Sequence, residues 1–86
     1  MYVIIIYDIG QKRVNKVCKF LRKYLHWIQN SAFEGEISGS KLEKIRLSLK
    51  KMAKESDSIL LFILENRHFI QKEIIGIEKS TPEQIL

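Results

Sequence analysis

The chain has 86 residues, 45% of them hydrophobic, which suits one compact domain; a domain this small buries only about 60–65% of the surface its unfolded chain exposes, so help from a partner chain is expected. The single Cys18 excludes an internal disulfide, and the two histidines, His26 and His68, lack zinc-site spacing. The balance of 15 Lys+Arg against 10 Asp+Glu leaves a net charge of +5, concentrated in residues 12–23 and 41–54, and points to a polyanionic partner, most commonly nucleic acid.

Residues 2–8, Tyr-Val-Ile-Ile-Ile-Tyr-Asp, open the chain with a β-branched apolar run that ends on a carboxylate. Short, β-branched and followed at once by Gly10, the run predicts a strand. Consecutive Val3, Ile4, Ile5 and Ile6 make both of its faces apolar, so both need cover. Asp8 then falls at the carboxyl end of the strand, just before a loop, where ligand and metal groups collect. The alternative is that it caps the following turn or helix.

Val14, Val17, Cys18, Leu21, Tyr24 and Leu25 are spaced as one face of a helix over residues 12–25. Cys18 on that face reads as a small buried hydrophobe, because no neighbouring histidine completes a catalytic pair. The opposite face carries Lys12, Lys16, Lys19 and Lys23, with Arg13 and Arg22 alongside, and no acid interrupts it. Such a stripe is either a solvated face or a phosphate contact.

Residues 27–37 are rich in strand formers and break near Gln29 to Ser31, giving two short strands or one bent one. Phe33 reads as core, with base stacking as the alternative, and Trp27 is expected to pack with its N–H at an edge. Ser40-Lys41-Leu42-Glu43 has the form of a capping box for a second helix, with Leu42, Ile45, Leu49, Met52 and Ala53 facing inward to about residue 54. Ile59 to Leu64 is a second unalternating apolar run and predicts a strand buried on both faces beside the first. Residues 65–72 read as a polar connection with His68 exposed, residues 73–78 as a last short strand, and residues 79–86 as a tail whose Ile85-Leu86 docks on a neighbour or frays.

No apolar stretch approaches the roughly 20 residues that span a bilayer, and no basic segment precedes the first apolar run. A chain without leader or anchor, in a reducing, cytoplasmic compartment, is the expectation. The element order is that of an α+β, ferredoxin-like βαββαβ domain over residues 1–78 with an additional C-terminal strand. The first and fourth strands are expected side by side in the centre of an antiparallel sheet, with both helices on one face. The other face would be bare in a monomer, which predicts a homodimer through the sheet face, with residues 73–78 lengthening the partner's sheet edge.

Tyr7-Asp8-Ile9 closing the first strand, Lys12-Arg13, Lys16 to Leu21, Gln29 to Gly35 and Asp57-Ser58-Ile59 together resemble the CRISPR-associated protein 2 family. The resemblance implies a ferredoxin-like homodimer that bridges dimers of the integrase CRISPR-associated protein 1 and holds DNA to be inserted as a new spacer. It also implies a Mg²⁺-dependent endonuclease acting on RNA or double-stranded DNA. On this likeness Asp8 matches the metal-binding aspartate, Tyr7 its aromatic neighbour, Arg13 the basic residue after the loop, Ser31 the small hydroxyl residue and Phe33 the aromatic of the second motif. Lys12 stands where many members have arginine, and meets phosphate as a point charge without the bidentate fork; Leu25 stands for a glycine, and Ala32 for a valine. A stand-alone ribonuclease toxin of the virulence-associated D type shares the fold and is the alternative. An RNA-recognition module is disfavoured, because its aromatic central-strand motif is missing.

Overall fold

The structure, a computed structural model, describes residues 1–80. Its elements are β1 (Tyr2–Asp8), α1 (Gln11–Leu21), β2 (His26–Gln29), β3 (Ala32–Glu36), α2 (Gly39–Met52) and β4 (Ser58–Leu64), followed by a 3₁₀ turn at Arg67–Phe69. The four strands form one antiparallel sheet in the order β2-β3-β1-β4, the expected ferredoxin-like arrangement.

The alternation of β1 sorts its apolar run into two sets. Val3, Ile5 and Tyr7 point toward the helices and are buried with Val17, Leu21, Phe33, Leu42, Ile45 and Leu49. Tyr2, Ile4, Ile6 and Asp8 point to the opposite, open face. Register carries the pattern across the sheet: Ile6 pairs with Leu60 and Ala32, and Ile4 with Phe62 and Glu34. Ile6, Leu60 and Phe62 are 42%, 52% and 50% exposed, so the open face carries an apolar patch on its β1–β4 half.

Four expectations need correction. β4 lies beside β1 but at the sheet edge, with β1 and β3 in the centre; its apolar composition was a sign of needed cover, not of central position. α2 does not close over it, and a groove of about 480 Å³ remains between Leu49 and Ala53 on one side and Ile59, Leu61 and Ile63 on the other. α1 stops at Leu21, where the chain tightens into bonds from Lys23 to Phe20 and from Tyr24 to Leu21. Leu25 beyond it is still buried.

The cap of α2 is Ser38, whose hydroxyl accepts from the Lys41 N–H at 3.3 Å, while Ser40 is already helical and Glu43 instead pairs with Arg46. The spacing of Ser40 and Glu43 imitated a capping box two residues too late. Residues 73–78 form no strand in this subunit, since a strand exists only against a ladder partner and none lies beside them here. The segment instead runs by the β2–β3 half of the open face, where Lys72 pairs with Glu34 and Ile74 and Ile77 approach Ile28. The expectation for Ile85-Leu86 lies outside the described residues.

Other local expectations hold. The turn between β2 and β3 falls at Asn30, in the left-handed region at φ 44°, a conformation asparagine tolerates. The Trp27 indole N–H donates to the Asn30 carbonyl at 2.9 Å. Cys18 is half-buried against the core, and His68 is exposed.

Candidate nucleic-acid and metal site

Asp8 ends β1 opposite Ser58, exposed and on the open face. Among the described residues no ion pair or hydrogen bond engages its carboxylate. Its neighbour Tyr7 faces the other way. Tyr7 is 5% exposed and stacks on Phe33, ring centroids 6.2 Å apart and planes 24° from parallel. Burial, with Cys18 beside the ring, pushes the Tyr7 hydroxyl up to about 12. Thus Tyr7 and Phe33 meet one another in the core, on the far side of the sheet from Asp8. Phe33→Ala is expected to cost about 3–5 kcal/mol of stability, read as a large fall in denaturation midpoint.

Lys12, Lys16, Lys19 and Lys23 are all exposed, the first three on α1 and Lys23 in the turn that follows it. Arg13 is set apart from them: its Nε and Nη2 donate to Asp57 Oδ2 and Oδ1, each at 2.8 Å. Asp57 is the site residue that sequence reasoning missed. The available signal was an acid directly before a strand, in a chain whose first helix is basic and has no acid of its own, but the contact spans 44 positions and no local pattern announces it.

The same Asp57 carboxylate accepts the backbone N–H of Gly10 at 3.0 Å and of Lys54 at 2.9 Å. Arg13 foremost, then these two amides, hold its carboxyl well below the ordinary value of 3.8. A carboxyl favoured as the anion in the native state stabilises fully above about pH 5, and that contribution is lost as pH falls toward the lowered value. Urea melts between pH 7 and pH 3 are expected to show Asp57→Asn less stable at neutral pH and less sensitive to acid than the parent.

A second buried acid lies on the open face. Glu34 is 9% exposed and paired with Lys72, beside Tyr2, whose hydroxyl is pushed up to about 12 by burial first and then by the hydrogen-bonding Glu34 carboxylate and its charge. Both acids are committed to protein partners. Among the described residues no group of three or more His, Cys, Asp or Glu side chains is placed to hold a metal ion, so Asp8 stands as a single open carboxylate.

The family model described as CRISPR associated protein Cas2 matches residues 1–72. This chain belongs to that family. The CRISPR-associated endoribonuclease Cas2 of Dictyoglomus turgidum is 45% identical over the full length of both chains. The CRISPR-associated endoribonuclease Cas2 3 of Thermodesulfovibrio yellowstonii is 51% identical over 99% of this chain and 98% of its own. A Cas2 crystal structure superposes with a TM-score of 0.88 at 43% identity, covering all of this chain and 98% of the other. Streptococcus pyogenes Cas2 gives 0.76 at 28% identity, over 88% of this chain and all of the other. The Cas2 fold and the element order found here therefore agree. Among the described residues no helix is long and apolar enough to cross a membrane.

Proposed function

We propose that this chain is a homodimeric, Mg²⁺-dependent endonuclease whose site forms where two copies bring their Asp8 carboxylates together. The observation that carries the reading is that the open Asp8 carboxylate and the apolar patch of Ile6, Leu60 and Phe62 share one face of one sheet. Packing that patch against a second copy brings two carboxylates to one side of the dimer. Mg²⁺ takes oxygen donors, keeps several waters and is often held by one or two carboxylates, so an unengaged aspartate from each subunit fits it. When bound, the ion would stabilise charge on the scissile phosphate and lower the pKa of an attacking water.

The protein's own part is to present and orient. Lys12, Lys16, Lys19 and Lys23 hold backbone phosphates of the nucleic acid on the outer, helix side of the subunit, and Tyr7 and Phe33 act from the core by fixing the β-strand that carries Asp8. The names of the relatives favour RNA as the substrate, with double-stranded DNA the other candidate.

A second role is favoured by the acid-free lysine row along α1: a dimeric adaptor that holds DNA for the integrase CRISPR-associated protein 1. Lysines on one exposed face read charge, not bases. Both roles are tested together, by cleavage of labelled RNA and duplex with Mg²⁺ or chelator, and by capture of the integrase from a mixture of the two purified proteins. Binding measured in chelator is expected to weaken with salt at a log–log slope of about −3 or steeper and to ignore sequence, each lysine contact adding roughly −0.7 to −0.9. A flat salt dependence rejects the phosphate track. Cleavage of RNA without integrase capture favours the stand-alone toxin.

A further inference from the structure

Arg13 lies beside the lysine row but is half-buried where the lysines are exposed. Its planar fork grips both oxygens of Asp57, whose side chain is 1% exposed, and the Gly10 and Lys54 amides bring the donors to that carboxylate to four. An anion so saturated has little capacity left for a second arrangement. The knot ties the turn after β1 to the turn before β4, the two strand ends that face each other as Asp8 and Ser58.

Gly10 completes it: a Cβ there would stand 2.8 Å from Arg13 Nη2. Since Gly10 has an ordinary φ of −57°, glycine at this position serves the guanidinium's room and not the backbone's conformation. Asp8 is only two residues before it.

We infer that Arg13 and Asp57 are positioning residues, a brace that fixes the β1–α1 turn and so the direction in which Asp8 presents its carboxylate, and that the Arg13 charge is spent on Asp57 and not on phosphate. The inference rests on the proposed role of Asp8. A brace of this kind acts through geometry, where a displacement of about 1 Å at a reacting group costs on the order of 10²-fold. It also needs the fork: lysine keeps the charge but cannot span both oxygens while leaving the two amides in place.

The test compares wild type with Arg13→Gln, Arg13→Lys, Asp57→Asn and the Arg13→Gln/Asp57→Asn double variant. One measurement is the salt slope of binding to a labelled duplex in chelator; the other is kcat and KM for RNA cleavage with Mg²⁺. The expected result is a wild-type slope in all four, kcat lowered about 10- to 100-fold with KM within about 2-fold, and a double variant no worse than the singles, as for groups that act as a unit. Arg13→Lys, the mildest change and the safeguard against misfolding, is expected to keep the slope and still lose kcat.

A slope shallower by about one phosphate in Arg13→Gln alone, full kcat in Arg13→Lys, or additive losses in the double variant each overturn the brace. If wild type fails to cleave, the endonuclease reading falls, and the Arg13→Gln slope in chelator still decides where that charge goes.

Discussion

Asp8→Ala is expected to lower Mg²⁺-stimulated cleavage by about three orders of magnitude or more, because a metal ion contributes several kcal/mol of charge stabilisation and each 1.4 kcal/mol is roughly tenfold in rate. The fold does not lean on this side chain. It is exposed at the end of β1, without a protein partner among the described residues, so its removal should change stability by no more than about 0.5 kcal/mol.

Binding of a duplex in chelator should likewise persist, since the lysines of α1 are untouched, and the oligomeric mass should not change. Asp8→Asn separates charge from shape: an amide occupies the same volume and offers one neutral oxygen, and it should lose cleavage nearly as fully. Cleavage that survives both substitutions would place the chemistry elsewhere or in a contaminant. Cleavage lost together with the dimer would make Asp8 a structural residue.

Much of this architecture is legible in the chain because apolar run length and spacing report directly on burial. β1 follows from a short unbroken β-branched run and α1 and α2 from apolar residues at a period of about three and a half, and Gly10 and Asn30 mark turns where the structure has them. What composition does not report is who supplies the cover. β4 is as apolar as β1 yet sits at an edge with Leu60 and Phe62 half exposed, and residues 73–78 have strand composition without a ladder in the single subunit.

The site divides along the same line. Asp8 and the lysine row are local features, readable from a strand end and a helical period. Tyr7 and Phe33 carry the right chemistry for a site, but strand alternation sends them inward together, into one stacked pair. Asp57 gains its place only when two distant turns meet, and Ser38 displaces Ser40 as the cap because the chain enters the helix two residues earlier than the serine–glutamate spacing implies.

Replacing Phe62 with glutamate is expected to convert a dimer to a monomer at micromolar concentration. Phe62 is half exposed on the open face and pairs across the sheet with Ile4, so the subunit's own core, on the helix side, does not depend on it. In a two-fold interface every substitution counts twice. Two carboxylates placed in an apolar contact face each other or a partner's aliphatic surface, at a cost of several kcal/mol before relaxation. A loss of about 4 kcal/mol is roughly a thousandfold in dissociation constant.

Light scattering on the separated protein measures the mass, and far-UV circular dichroism checks that the monomer keeps its helices. Because the proposed site takes one Asp8 from each copy, the same variant should lose cleavage while every residue around Asp8 is unchanged, and mixing it with Asp8→Ala should not restore activity. A Phe62→Glu protein that remains a dimer would show that the patch of Ile6, Leu60 and Phe62 is not the interface. A monomer that cleaves at the parent rate would leave a single carboxylate sufficient, and the shared site would be wrong even with the dimer right.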